Sequence, residues 1–267
     1  MSHTTLTWLG QAGFCLEAEG LRILVDPFIS DHESRLSPPP DAVTAATGVD
    51  WLLVTHEHLD HFDKEFVRAV DSHSPNATLA LPSPLAEEAR QIAPHLSVVG
   101  VQPGDRRFLS ATVGLHVIPA WHAVEVADGY SEGRGEDGAS RFVGYVVRTP
   151  DVSVYHAGDT LVTDALRAAL AGEQIDVALL PVNGRDYYRE SIGLVGNMDG
   201  REAVQLATEL RVQLLIPMHW DMFAGNTVRP GIVVDEAGTD AAVHVLTPAR
   251  GLPFQLPGNR PVADLDS

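Results

Sequence analysis

Short apolar runs, broken every five to ten residues by glycine- and proline-bearing turns, set the rhythm of the chain. Thr4–Leu9, Phe14–Ala18 and Leu21–Val25 are β-prone runs separated by Gly10-Gln11-Ala12-Gly13 and Glu19-Gly20, a pattern that predicts a meander. A polar, proline-rich loop covers Ser30–Pro40, and Trp51–Thr55 then reads as a buried strand. Asp63–Val70 and Pro84–Gln91 read as helices, the second with Ser83 as N-cap and Pro84 in its first position. Strands are expected again at Val98–Val101, Arg106–Leu109 and Val113–Ala120. The Gly-, Asp- and Glu-rich stretch Ala127–Ser140 predicts a mobile loop. Beyond it, Arg141–Arg148, Val152–His156, Val177–Pro181 and Leu214–Pro217 read as strands. Gly200–Leu210 is a helix whose Asp199 and Glu202 form a D-x-x-E capping signature. The tail after Pro248, rich in proline and glycine, is expected to pack loosely.

Strands mixed with helices in two similar halves imply a layered α/β sandwich. The reading is one domain over residues 1–267, with the halves meeting near 127–140. No short-period repeat suggests a solenoid.

Composition narrows the function mainly by exclusion. At 45% hydrophobic and 20% charged residues the 267-residue chain is ordinary for a globular enzyme. Its net charge of −18, with Lys64 the sole lysine and no basic run, opposes a nucleic-acid partner. No apolar stretch approaches the ~20 residues of a membrane span and no signal-like segment precedes the first strand, so no membrane role is expected and the cytoplasm is the expected compartment. A single cysteine, Cys15 in the apolar run Phe14-Cys15-Leu16, excludes an intramolecular disulfide and a cysteine-based metal site, and predicts a buried thiol.

The chemistry concentrates in His56-Glu57-His58-Leu59-Asp60-His61. Histidines two apart on a tight turn can converge on one cation, with Asp60 and His61 turned toward a neighbouring position; imidazole and carboxylate suit zinc ahead of manganese or iron. At this chain's His and Asp frequencies the pattern arises by chance in roughly two such chains per thousand, so a solvated turn is the weaker reading. One turn cannot close a metal site. Four other metal-capable residues end apolar β runs: Asp26, His122, Asp159 and His219. Taken singly each is an ordinary strand-end residue, but the recurrence of that context makes His122, Asp159 and His219 the missing donors. His156, three residues before Asp159, reads equally as a residue supporting a ligand or as a satisfied core histidine. The remaining histidines (His3, His32, His73, His95, His116 and His244) fall outside any ligand pattern and are expected on the surface or in loops.

On these residues the chain resembles the metallo-β-lactamase superfamily over nearly its whole length, with Asp26, the His56–His61 run, His122, Asp159 and His219 in the family's order. The resemblance implies a four-layer αββα sandwich with two divalent metal ions at one edge of the sheets. His56, His58 and His122 would hold the first and Asp60, His61 and His219 the second, with Asp159 bridging and Asp26 orienting the histidine turn. Trp8-Leu9-Gly10-Gln11-Ala12-Gly13-Phe14, Tyr155-His156-Ala157-Gly158-Asp159-Thr160, Ile216–Phe223 and Asn197-Met198-Asp199 look like the L-ascorbate-6-phosphate lactonase group.

Two metals ~3.5–4 Å apart can lower the pKa of a shared water toward neutrality, which explains hydrolysis without a side-chain nucleophile. Asp60 is expected to be catalytic, orienting that water and moving a proton to the leaving oxygen. The reading is a hydrolase of a small anionic substrate, lactone opening of a phosphorylated sugar acid first. The alternatives are phosphodiester hydrolysis at the same centre, or a non-catalytic metal-binding protein. Substrate contacts are expected from the loop holding Asn183, Arg185, Tyr188 and Arg189, with Asn197 nearby, and homo-oligomerisation stays open. The 127–140 loop, with glycine hinges directly after His122, reads as a lid or as ordinary surface loop.

Overall fold

Alternation along the strands builds the molecule: one side chain in two faces a partner sheet and the next faces a helix. The computed structural model describes residues 3–238 and 243–258. Six strands come first: β1 (Thr5–Gly10), β2 (Gly13–Ala18), β3 (Leu21–Val25), β4 (Trp51–Leu53), β5 (Thr78–Pro82) and β6 (Ser97–Val101). Seven follow: β7 (Arg106–Phe108), β8 (Gly114–Pro119), β9 (Val143–Arg148), β10 (Ser153–His156), β11 (Val177–Pro181), β12 (Leu214–Met218) and β13 (His244–Val245). The last, β14 (Phe254–Gln255), returns to pair with β1. Among the described residues each sheet thus has seven strands, ordered β14-β1-β2-β3-β4-β5-β6 and β13-β12-β11-β10-β9-β8-β7.

In the first sheet Phe14, Leu16, Ile23, Val25, Leu53 and Ala80 join the core shared with the second sheet. Their neighbours Cys15, Leu24, Leu52, Leu79 and Leu81 point the other way, into a separate cluster. There they meet Phe66, Val67 and Val70 of α2 (Lys64–His73) and Ala89 of α3 (Ala86–Ile92); α1 (Ala42–Ala46) adds Ala45 and Ala46. On the second sheet α4 (Asp164–Leu170), α6 (Gly200–Glu209) and α7 (Gly231–Ala237) bury Leu166, Leu206 and Val233. A short α5 (Tyr187–Ser191) lies between β11 and α6. The outcome is the expected sandwich of helix, sheet, sheet and helix. No helix among the described residues is long and apolar enough to cross a membrane.

Local signals account for several ends. Asp63 caps α2 by accepting from the Phe66 amide, and Asp199 and Glu202 form the expected reciprocal box at the start of α6. Other expectations need correction. Ser83 caps nothing: a 3-10 turn, Ser83–Leu85, precedes α3, and the Ser83 hydroxyl donates to the Val101 carbonyl. The crossing from one sheet to the other lies between Val101 and Arg106, not near 127–140, because the 127–140 segment joins β8 to β9 within the second sheet. That segment is also tied down. His122 and Ser131 exchange backbone hydrogen bonds, Tyr130 donates to Glu190 at 3.1 Å, and the Ser140 amide donates to Gln102. Most described residues of the tail are exposed, in keeping with loose packing, while β14 pairs with β1 and Leu256 is buried at 7% exposure; residues 259–267 lie outside the described residues. His116 sits on β8, not in a loop, and pairs with Glu173 at 3.0 Å.

Strand direction places the chemistry. β3 through β6 are mutually parallel, as are β10 through β13. β1 is antiparallel to β2 and β2 to β3, so β1 runs with β3; by the same reasoning through β9, β8 runs with β10. The carboxyl ends of β1, β3, β4, β8, β10 and β12 therefore open on one edge, where open α/β sheets bind ligands.

Candidate metal centre

Each of those strand ends delivers a polar side chain to the same place. Asp26 follows β3, the turn His56–His61 follows β4, His122 follows β8, Asp159 follows β10 and His219 follows β12. Two donor groups result, His56, His58, His122 and Asp159 in one, and Asp60, His61 and His219 in the other, with ligand atoms within 4.8 Å of one another inside each group. The seven residues that the sequence nominates as donors are thus brought together.

The first group is built of imidazoles facing imidazoles. His56 Nε2 lies 3.0 Å from His58 Nδ1, and His122 Nε2 lies 3.3 Å from that same atom. On its far side His58 Nε2 is 3.0 Å from the Val124 carbonyl, an acceptor, so Nε2 is the donating nitrogen and Nδ1 is the one turned inward. Burial holds His56 well below the usual imidazole range, reinforced by the neighbouring His61 and His58. Burial likewise pushes His122 down to about 3 against the pull of Asp159. Neutral imidazoles with converging lone pairs are the form that ligates a divalent cation.

The second group has the opposite charge balance. His61 Nε2 lies 3.3 Å from Asp159 Oδ1, and His219 Nε2 lies 3.2 Å from both Asp60 Oδ2 and Asp159 Oδ2. Burial alone would depress both imidazoles. Asp159, Asp26 and Asp60 outweigh it and hold His61 well above its ordinary value, while Asp159 and Asp60 push His219 up to about 10. Asp60 and Asp159 sit correspondingly below the usual carboxylate range, although burial opposes the shift. A cation entering here displaces protons.

Fit to metal rests on donor chemistry. His61 Nε2 and Asp159 Oδ1 are buried and face each other at 3.3 Å, with no better-aligned hydrogen-bond partner for either. Asp159 lies within 3.5 Å of His122 as well as touching His61 and His219, so one carboxylate reaches both groups. The set is all nitrogen and oxygen, which suits borderline divalent metals.

Supporting residues fix the ring orientations. Asp26, wholly buried, accepts from the Thr55 amide (2.8 Å), the Thr55 hydroxyl (2.5 Å) and His61 Nδ1 (2.7 Å), which turns His61 Nε2 inward. His156 does not reach the donors. It is a satisfied core histidine, donating through Nε2 to the Ala12 carbonyl at 2.8 Å and accepting the Gly158 amide at 3.1 Å, and it braces two site loops. Gly158 has φ +61°, and a Cβ there would lie 2.8 Å from the Val143 carbonyl and 2.9 Å from Thr55 Cβ. Only glycine lets the chain turn into Asp159 so close to the histidine strand.

The expected substrate residues fare differently. Arg185 forms a two-pronged ion pair with Glu202 (2.7 and 2.8 Å) and also donates to the Asn197 carbonyl. Arg189 donates to the Asn183, Gly225 and Thr227 carbonyls. Both guanidiniums are therefore committed to holding loops together. Asn183 and Asn197 are buried and bond each other, Asn183 also reaching Asn226. Tyr188 is 67% exposed on α5.

Sequence reasoning missed two features. Gln11, at the end of β1, is buried with its carboxamide nitrogen 2.7 Å from Asp60 Oδ2 and 3.1 Å from His219 Nε2. The signal existed, since β1 too is an apolar run closing on a polar side chain. The second is a groove of about 390 Å³ beside the histidine turn, lined by Phe28, His32, Leu59, Phe62, Lys64 and Arg68 among others. Glu57 and Leu59, which flank the partly buried donor His58 in sequence, contribute to its lining, but none of the seven donors does.

Comparison with known proteins gives consistent matches. A family model described as Beta-lactamase superfamily domain matches residues 21–220. A UPF0173 metal-dependent hydrolase of Methanopyrus kandleri is 32% identical over 254 residues, covering 91% of this chain and 96% of that one. Among solved structures, a possible metal-dependent hydrolase from Veillonella parvula matches with a TM-score of 0.74 at 18% identity, covering 95% of this chain and all (100%) of that one. A metallo hydrolase of Ignicoccus hospitalis, Igni18, matches at 0.67 and 22% identity, covering 95% and 99%. The structural likenesses speak to fold alone.

Proposed function

Because the chain belongs to the beta-lactamase superfamily, we propose that it hydrolyses a small anionic substrate at a centre built for two divalent cations. It is a metal-dependent hydrolase of that superfamily. The observation that carries the two-cation reading is the meeting of seven donors from four separate strand ends, with three imidazole nitrogens facing each other in one group and one buried carboxylate, Asp159, reaching both groups.

A bound cation pair supplies an acidified water and positive charge facing the oxygen on which charge develops. The protein's own residues do the rest. Asp26 and the Val124 carbonyl fix the imidazole orientations. Asp60, with 15% of its side chain exposed, stands at the open side, where its carboxylate can orient the water and pass a proton to the leaving oxygen. Asp60→Asn removes that proton carrier; a variant with full cation content and full turnover would remove Asp60 from the mechanism.

Arg185 and Arg189 are engaged elsewhere, and the groove beside Leu59 offers no replacement, because Asp31, Glu57, Asp63 and Glu65 share its lining with Lys64 and Arg68, and Lys64 pairs with Glu88. Lactone opening of a phosphorylated sugar acid is the narrower proposal. It rests on the similarity of the Trp8–Phe14, Tyr155–Thr160 and Ile216–Phe223 segments to the L-ascorbate-6-phosphate lactonase group, and all three segments adjoin the centre. The test is a panel of sugar lactones, thioesters and phosphodiesters assayed with zinc or manganese. Lactone turnover supports the proposal; turnover of phosphodiesters alone replaces the substrate class. Full cation loading with no turnover on any class would make the chain a binding protein.

A further inference from the structure

Gln11 is held in a way that an ordinary turn residue is not. Its φ is +52°, in the left-handed region that costs a non-glycine residue energy. Five non-glycine residues among those described have positive φ, and three of them (Gln11, Asp26 and His219) meet at this centre. Such strain persists where the surroundings over-determine it, characteristically at functional sites. Here the surroundings are visible. The His219 amide and the Trp8 indole donate to the Gln11 carbonyl at 3.1 Å each, and the Gln11 amide donates to Asp221 Oδ1 at 2.8 Å. Trp8 and Trp220 stack across the same junction with ring centres 5.0 Å apart. The ends of β1 and β12 are therefore clasped together, and the clasp aims the Gln11 side chain inward.

What it aims at is specific. The carboxamide nitrogen, Asp60 Oδ2 and His219 Nε2 form a triangle with sides of 2.7, 3.1 and 3.2 Å. A carboxylate oxygen has room for both a hydrogen bond and a cation, so an amide donor on Asp60 Oδ2 fixes the rotation of the carboxylate without using up its ligating capacity. Among the described residues no side-chain amide serves the His56, His58, His122 and Asp159 group in this way.

We propose that Gln11 is a positioning residue for one of the two cation sites, holding Asp60 and His219 in the geometry that the second cation requires. The inference rests on the two-cation reading above. Partners of this kind on ligating carboxylates change cation affinity about 10- to 100-fold.

The test is zinc titration of the full-length, chelator-stripped chain by calorimetry, comparing wild type with Gln11→Gly and Gln11→Asn. Glycine removes the side chain and relieves the left-handed backbone. Asparagine tolerates that backbone but leaves the amide one methylene short of Asp60, so a folding defect in one variant leaves the other to decide. His219→Ala identifies which binding step belongs to the second group. The expected result is a second step weakened about tenfold or more in both variants, with the first step within about twofold of wild type. Equal weakening of both steps, or no change in the second, overturns the role of Gln11. Wild-type chain that takes up no second cation overturns the two-cation reading itself, and the inference with it.

Discussion

Replacing Asp26 by asparagine isolates the support beneath the histidine turn with little change of shape. Asparagine is at ease at the φ of +45° found there, so the backbone is spared. The carboxylate accepts three buried hydrogen bonds, from the Thr55 amide, the Thr55 hydroxyl and His61 Nδ1. A carboxamide has one acceptor oxygen. If that oxygen keeps Thr55 Oγ1 and His61, the NH2 group points at the Thr55 amide, donor against donor. Stranding those donors costs about 1–3 kcal/mol, and losing the charge on the two surviving bonds costs about 1 kcal/mol each. The total is about 3–5 kcal/mol, read as a shift in urea midpoint at constant slope. Zinc affinity should fall as well, because His61 loses the partner that makes it basic. The same change weakens proton competition at His61, so the fall at pH 7 belongs near the lower end of the 10- to 100-fold range, about tenfold. A stability loss below about 1 kcal/mol together with a zinc isotherm within twofold of wild type would refute this account of Asp26.

Three further outcomes follow from the same geometry. Because His61 and His219 are raised while His56 and His122 are depressed, uptake of the second cation should release about two protons near pH 7 and that of the first almost none, so affinity for the second rises with pH until about 10 is passed; calorimetry in buffers of different ionisation heat measures this, and equal release at both steps contradicts it. Arg185→Ala should leave KM within about twofold and cost about 0.5–1 kcal/mol of stability, since the pair it breaks with Glu202 is about one-third exposed; a tenfold rise in KM would return Arg185 to the substrate. Cys15 is buried and burial pushes its thiol up to about 11, so a thiol reagent at pH 8 should label it only after denaturation, and rapid labelling of the native chain would contradict the packing of β2 against the outer helices.

Much of this fold could be read from the sequence where local signals and tertiary context agree. β3 and β11 span the residues that the apolar runs predict, and the Asp199–Glu202 box starts α6 where its pattern begins. The donors were legible for a topological reason: parallel strands share one carboxyl edge, so a polar residue recurring after apolar runs marks residues that meet. Where context overrides local pattern the reading failed. β5 was hidden because Thr78–Pro82 is flanked by Ser-Pro sequences that read as loop, yet it lies between β4 and β6 with Leu79 and Leu81 buried. Arg185 read as an anion ligand because its partner, Glu202, is seventeen residues away. Gln11 was passed over because Gly10 and Gly13 make its segment an ordinary turn; nothing local reveals that His219, 208 residues later, lies against it.

The central claim is that seven side chains hold two cations side by side. Anomalous diffraction from crystals soaked in zinc tests it most directly. The account predicts two peaks about 3.5–4 Å apart, one among His56, His58 and His122 and the other among Asp60, His61 and His219, with Asp159 reaching both. A lone peak away from the histidine turn, with His122, Asp159 and His219 directed elsewhere, would contradict it.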